Sequence, residues 1–366
     1  MKRLAALLLL ISSTFFLAQA APAPAAEPAS AWELLRQIVM IPGISGQEGK
    51  VIDFIRHHLP SGLRPQGDAK NDIWFTAGEG RPHLLFVAHA DELGFTVAEV
   101  TSQGTVKLKG RGGFLPQACE ARPFVIHTVK GPVEGVMVPR ADLYSEAAQP
   151  FAPETYELDV GAASDKEALD LGINPGDQVI FKKAIIDLAP GILATRAVDD
   201  RAGCAALLAA ARDIDWSRIA GRTITFAWSV EEETGLHGAR AMTSSLSPDY
   251  VFAIDTFVSS DSPLENKRFG FARLGQGAVL RAVDSSNITP RSELRKIFQL
   301  AENKGIPVQA RSSRGGNDGS VFVAAGAVDI PLSWPGVYAH SFIEKIDKRD
   351  LDALSSLIKI LAEEFR

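Results

Sequence analysis

Residues 83–91 read HLLFVAHAD. Leu84, Leu85, Phe86, Val87 and Ala88 form an unbroken apolar run, and His89 and Asp91 follow it directly. A short continuous run of this kind suits a strand buried on both faces, which is the strand type of α/β sheets. The same design recurs twice downstream. Residues 223–230 (TITFAWSV) run into Glu231-Glu232-Glu233, and residues 250–254 (YVFAI) run into Asp255. Helical patterns separate these runs. Residues 201–213 form an Ala/Leu-rich stretch, Thr289-Pro290 opens another helix, and residues 350–365 form a terminal one. Upstream, Ser30 with Glu33 and Ser45 with Glu48 have the capping-box spacing ahead of apolar residues at helical intervals. Residues 306–311 read as a further strand and 321–325 as a short helix. Alternating strands and helices predict an α/β fold, a mostly parallel mixed sheet flanked by helices.

The texture changes between residues 96 and 183. Short β-like runs (VKLKG, RPFVIHTVKG, GVMVP, QVIFKK) are broken by Gly and Pro, and only 166–171 looks helical. This segment reads as an inserted β-rich domain. It divides the main domain into two parts, 30–95 and 184–366.

The N-terminus is expected to lie outside the fold. Lys2 and Arg3 precede an apolar stretch up to Leu17, and Ala18-Gln19-Ala20 supplies a small-x-small cleavage site. Residues 1–20 therefore read as a secretory signal peptide and 21–29 (APAPAAEPA) as a flexible leader. The expectation is an exported chain, periplasmic or extracellular, with no membrane attachment after cleavage. Cys119 and Cys204 are the two cysteines of the chain, and Cys204 sits in the Ala/Leu-rich run as a buried free thiol would.

Composition closes off other classes. With 46% hydrophobic and 22% charged residues the chain is globular rather than disordered. A net charge of −6 argues against a broad phosphate-binding surface, so nucleic acid is not an expected partner.

The polar residues of interest stand where apolar runs end: His89, Asp91, Asp199-Asp200, the three glutamates, Asp255 and His340. In open α/β sheets ligands bind beyond the carboxyl ends of the strands. So many carboxylates in one cleft repel each other unless a cation fills it. Imidazole mixed with carboxylate suits zinc first, with cobalt or manganese as alternatives. A shared carboxylate can hold two such ions.

The segments HADELGF (89–95), AVDDRAG (197–203), EEETGLHGA (231–239), AIDT (253–256) and YAHSFIEKID (338–347), in this order, resemble the glutamyl/deblocking aminopeptidase family of tetrahedral-assembly dinuclear metallopeptidases. Residues 156–181 are similar to that family's linker into its Asp-Asp-Arg motif. The resemblance implies two divalent metal ions per chain. It makes His89 and Asp255 terminal ligands of one ion, Glu233 and His340 ligands of the other, and Asp199 the bridge between them. Asp91 becomes the partner that orients the His89 ring, and Asp200 a supporting residue beside a cis peptide. Gly235 fixes the register of the glutamates, so Glu232 becomes the general base while Glu231 points away. The fold implied is a zinc-aminopeptidase-like catalytic domain whose β-rich insertion is a dimerisation domain. A homo-oligomer follows, a dimer or a dodecamer built from dimers.

Four positions depart from the family pattern. Arg196 replaces a lysine, Asn317 and Gly319 alter a Gly-Thr-Asp-Ala segment, and Val337 replaces an arginine. All are expected around the substrate pocket. The function expected is an exported, metal-dependent aminopeptidase acting on peptides. A dinuclear N-deacylase or carboxypeptidase-type amidohydrolase is the alternative within the fold, and a non-catalytic peptide- or metal-binding protein the alternative outside it. A glycosidase is disfavoured because adjacent glutamates cannot flank a sugar bond.

Overall fold

The computed structural model describes residues 29–142, 145, 156–259, 261–263 and 270–366. The expected signal peptide, and the leader up to residue 28, lie outside the described residues.

A nine-stranded mixed sheet forms the centre. Its middle is the run His83–His89, flanked in parallel by Thr223–Ser229 and Tyr250–Ile254. The strand Ile73–Ala77 continues one side antiparallel, with the short strand Gln66–Gly67 at the edge. On the other side Leu332–Ser333, Ala278–Val283 and Val308–Ser312 extend it. The continuous apolar run has a simple physical cause. Leu84, Phe86 and Ala88 face one layer with Val198, Leu207 and Leu354. Leu85 and Val87 face the opposite layer with Ala239, Met242 and Phe322. Successive side chains of a strand point to opposite faces, so covering both faces requires apolar residues at every position.

The helix Val198–Asp213 is buried along its length from Val198 to Ala211. Its alanines let it lie close to the His83–His89 strand and between the helices Ala31–Ile38 and Lys348–Glu364. A helix apolar on all sides belongs in the interior. Its first turn is irregular: Asp199 and Asp200 have non-helical dihedral angles, and the bond joining them is cis.

From Gly94 to Phe181 the chain leaves the sheet and closes a six-stranded antiparallel barrel. Phe95, Phe124, Phe181 and Tyr156 fill it, with Phe124 and Phe181 ring centres 4.4 Å apart. Closure leaves no strand edge unpaired. The outgoing and returning chains are tied where they cross. Lys183 Nζ lies 2.6 Å from Glu92 Oε1 and also donates to the carbonyls of Val39 and Ile41. The Arg201 guanidinium donates to the carbonyls of Ile38, Ile41 and Gly43 beside it. Burial pushes the Lys183 amine down to about 8.

Ser30 and Glu33 form the expected capping box. Ser45 and Glu48 do not. Glu48 itself is the N-cap of the helix Gly49–His58, without a side-chain cap bond, and the Ser45 hydroxyl is drawn instead to Asp91. Thr289 likewise caps nothing: its hydroxyl donates to the Arg281 carbonyl, and the next helix begins at Arg291 behind Pro290. In both places a buried acceptor elsewhere outcompetes the local cap. Cys119 and Cys204 are buried and free.

Candidate metal centre

The register of the sheet brings its chemistry to one edge. Ser229 pairs with His89 and Ile254 with Ala88. The residues that follow, Ala90-Asp91, Glu231–Glu233 and Asp255, therefore emerge side by side. Ala90 N–H donates to the Ser229 carbonyl at 2.8 Å, holding the two strand ends together. Asp199 arrives from the irregular start of the Val198–Asp213 helix. His340 arrives from the loop before Glu344–Asp347, with its backbone at φ +58°.

These residues meet. His89 Nε2 is 3.4 Å from Asp199 Oδ1, and His340 Nε2 is 3.6 Å from Asp199 Oδ2 and 3.7 Å from Glu233 Oε2. Ligand-type atoms of His89, Asp199 and Glu233 all lie within 4.8 Å of one another. Together with Glu232 and Asp255 they line a cleft of about 150 Å³. Asp255 lines the same cleft, and its Oδ2 is 3.2 Å from Nη2 of the buried Arg281. Glu231 is turned away and pairs with Lys70 Nζ at 2.9 Å.

The donor set fits divalent ions. The separations of 3.4–3.7 Å are too long for good hydrogen bonds. They match two ligand atoms each about 2.0–2.1 Å from one tetrahedral ion, which stand about 3.4 Å apart. Asp199 Oδ1 is buried and has no hydrogen-bond partner among the described residues, so an acceptor faces into the cleft unsatisfied. Each of its two oxygens faces a different imidazole, the arrangement a bridging ligand needs.

Charge is concentrated here. Burial raises Glu232 well above the ordinary carboxylate range, the His89 imidazole opposes it, and the Asp255, Asp318 and Glu233 charges add to it. Burial pushes Glu233 up to about 7. Burial acts the same way on Asp199, but the His340 and His89 imidazoles overcome it and hold that carboxyl well below its usual range. Three carboxylates of one cleft thus differ in their hold on a proton because of what faces each.

A second set of residues fixes the first. Asp91 is fully buried and accepts four hydrogen bonds. His89 Nδ1 and Glu232 N–H reach Oδ1 at 3.2 and 3.0 Å. The Ser45 hydroxyl and Glu233 N–H reach Oδ2 at 2.6 and 3.1 Å. One carboxylate therefore orients the imidazole and the backbone of both glutamates. Asp200 Oδ2 accepts His89 N–H at 3.0 Å while Oδ1 accepts Gly203 N–H at 3.1 Å. The Cys204 thiol donates to the His89 carbonyl at 3.1 Å. On the other side Glu344 accepts Asp199 N–H at 3.0 Å and pairs with Arg196, whose Nη2 donates to the Leu93 carbonyl.

Of these supports, Arg281 carries no signal in the sequence, Ser45 reads there as a helix cap, Glu344 stands in the YAHSFIEKID segment without a role of its own, and Cys204 reads only as packing. Arg196 stands out there as a departure; its guanidinium reaches Glu344 and lies 5.7 Å from the centre of the Phe181 ring in the barrel.

Comparison with known proteins supplies a family. A family model described as M42 glutamyl aminopeptidase matches residues 72–357. The lysyl aminopeptidase of Pyrococcus furiosus is 30% identical over 352 residues, covering 92% of this chain and 97% of that one. The glutamyl aminopeptidase of Lactococcus lactis is 28% identical over 324 residues, covering 85% and 89%. Among solved structures, the Pyrococcus horikoshii TET1 peptidase, described as assembling into a tetrahedron or a large octahedral shell, superposes with a TM-score of 0.83. It is 34% identical, with 92% of this chain and 100% of that chain covered.

Proposed function

The chain belongs to the M42 glutamyl aminopeptidase family, and from that premise we propose that it removes N-terminal residues from peptides with two divalent ions, zinc first among them. The family makes it a metal-dependent hydrolase of peptides. The finer assignment rests on one observation: Asp199 presents one oxygen to His89 and the other to His340.

In this reading His89 and Asp255 hold one ion, Glu233 and His340 the other, and Asp199 both. Bound there, the ions supply Lewis acidity and make a nearby water easier to deprotonate. The rest falls to the chain. Glu232 takes the proton of the attacking water and returns it to the leaving amine. Its carboxyl lines the same cleft as His89, Asp199, Glu233 and His340, where that water would be held. Asp91 keeps the His89 ring and the Glu232 backbone in register.

Cleavage of aminoacyl anilides and free-amine peptides, set against N-acetylated peptides, tests the activity. Faster turnover of the acetylated set would replace the aminopeptidase with a deacylase. We propose export through a cleaved leader, on the sequence of residues 1–20. N-terminal sequencing of the mature protein checks it, and a mature chain still starting at Met1 would overturn it. We also propose a homo-oligomer of at least two copies, because structures of similar chains are dodecamers or shells. A monomer in light scattering would overturn that.

A further inference from the structure

Two segments that begin at the metal centre run on together into a separate groove. The first belongs to the barrel. Gly112, at φ +86°, sits so close to Glu233 that an added Cβ would stand 3.3 Å from Glu233 Cβ. Three residues on, Leu115 N–H donates to the His340 carbonyl at 3.3 Å. The second segment is the His340 loop itself. Beyond their contact the two segments separate around a groove of about 550 Å³. Leu115 and Ala118 form one wall, Tyr338, Phe342 and Ile343 the other, and Arg122 is its single charged residue.

Arg122 is held over Phe342, with its guanidinium carbon 4.9 Å from the ring centre. Its side chain has no hydrogen bond or ion pair among the described residues. A guanidinium carries five N–H donors and no acceptor, in a planar fork that matches a carboxylate. The stacked ring holds that fork in place while leaving its edge open. The walls are apolar enough to take a side chain the size of Leu or Phe.

We infer that this groove receives the leaving side of the peptide: an apolar residue beyond the scissile bond, with its C-terminal carboxylate on Arg122. The inference rests on the aminopeptidase reading and adds a substrate class to it, short peptides that end in an apolar residue and a free carboxylate. An extended peptide with its first amide at the Asp199 cleft would leave between the segment that follows Gly112 and the His340 loop, whose continuations, residues 115–122 and 341–343, line the groove.

The test uses the full metal-loaded chain and three probes that share one N-terminal residue X: the X-p-nitroanilide, the tripeptide X-Ala-Phe as the free acid, and the same tripeptide as the C-terminal amide. The anilide has no residues for the groove and reports the aminopeptidase reading alone. The acid is expected to have a kcat/KM about tenfold above the amide, with the difference in KM, as a charge-assisted contact gives. Arg122→Gln should bring the acid-to-amide ratio near one, and Arg122→Lys should restore part of it. A wild-type ratio near one overturns the inference without any variant, and so does a ratio that Arg122→Gln leaves unchanged. Absence of cleavage of all three probes overturns the aminopeptidase reading and this inference with it. Cleavage of the anilide with no preference between acid and amide overturns only the groove.

Discussion

The Ser45 hydroxyl donates to Asp91 Oδ2 at 2.6 Å, on the carboxylate that also receives His89 Nδ1 and the backbone N–H groups of Glu232 and Glu233. Ser45 is buried and lies 46 residues from Asp91 in sequence, so the bond joins two distant loops beneath the metal centre. Ser45→Ala leaves one lone pair of a buried carboxylate without its donor, a loss of roughly 1–3 kcal/mol. We expect kcat to fall about tenfold while the metal content stays at that of the wild type, and Ser45→Thr to recover part of the loss. Steady-state kinetics alongside metal analysis checks this. Unchanged kcat in Ser45→Ala would remove Ser45 from the working site.

Glu232→Gln keeps the shape of the proposed base and removes its ability to accept a proton. Turnover should fall by about 10²–10⁴. Metal stoichiometry should not change, because no ligand is removed. A fully active variant would show that the base lies elsewhere.

Metal removal should weaken the fold as well as the activity. Asp199, Glu232, Glu233 and Asp255 crowd one cleft with two imidazoles, and without cations their repulsion is offset by the imidazoles, by protons and by Arg196 and Arg281. A ligand that binds the folded chain stabilises it by mass action. Chelated protein should melt at a lower temperature than the reloaded protein, and zinc should restore both the melting point and turnover. His340→Ala should bind less metal per chain, measured by elemental analysis.

Gly203 is a packing requirement. An added Cβ would stand 2.3 Å from Asp200 Oδ1 and 2.7 Å from Ile254 Cγ2. Gly203→Ala should destabilise the chain by about 1–3 kcal/mol, the usual cost of overpacking a core. It should also disturb His89, whose N–H is held by Asp200. Thermal unfolding reads the first effect and metal affinity the second.

The terminal helix supplies a pH dependence away from the metal centre. Burial disfavours the Asp347 carboxylate, but hydrogen bonds from the Arg349 side chain and backbone outweigh it and lower its proton affinity. A depressed carboxyl stabilises the fold above its unfolded value near 3.8, and that stability is lost as pH falls through the folded value. Asp347→Asn can keep the cap to Arg349 N–H but has no charge to lose. Between pH 5 and 3 the stability difference between wild type and variant should therefore shrink. Denaturant titrations at the two ends of that range measure it.

The sheet was legible because its information is local. HLLFVAH announces a doubly covered strand, since every position needs an apolar residue and each can be read in turn. The polar residues directly behind the runs were legible for the same reason, and His89, Asp199, Glu232, Glu233 and His340 come together in one cleft. Of what supports them, Asp91 and Asp200 are legible in the motifs and the rest is not. Ser45 looked like a helix cap because its partner Asp91 is near only in space. Glu344 lies 145 residues from the Asp199 N–H it accepts, and Arg281 lies on a strand beyond the centre of the sheet. Cys204 reads as packing because nothing in an alanine-rich run hints that its thiol faces the His89 carbonyl. Pairings across a fold are set by packing, and a single chain carries no pattern for them.

The Glu92–Lys183 tie has an evolutionary reading. Because departure and return share one buried bond, barrel strands away from the cleft can lengthen or shorten while the layers around it keep their shape, and the segment 112–115, which touches Glu233 and His340, is the part held fixed. The outer surface of the barrel can thus change its shape without rebuilding the cleft behind it.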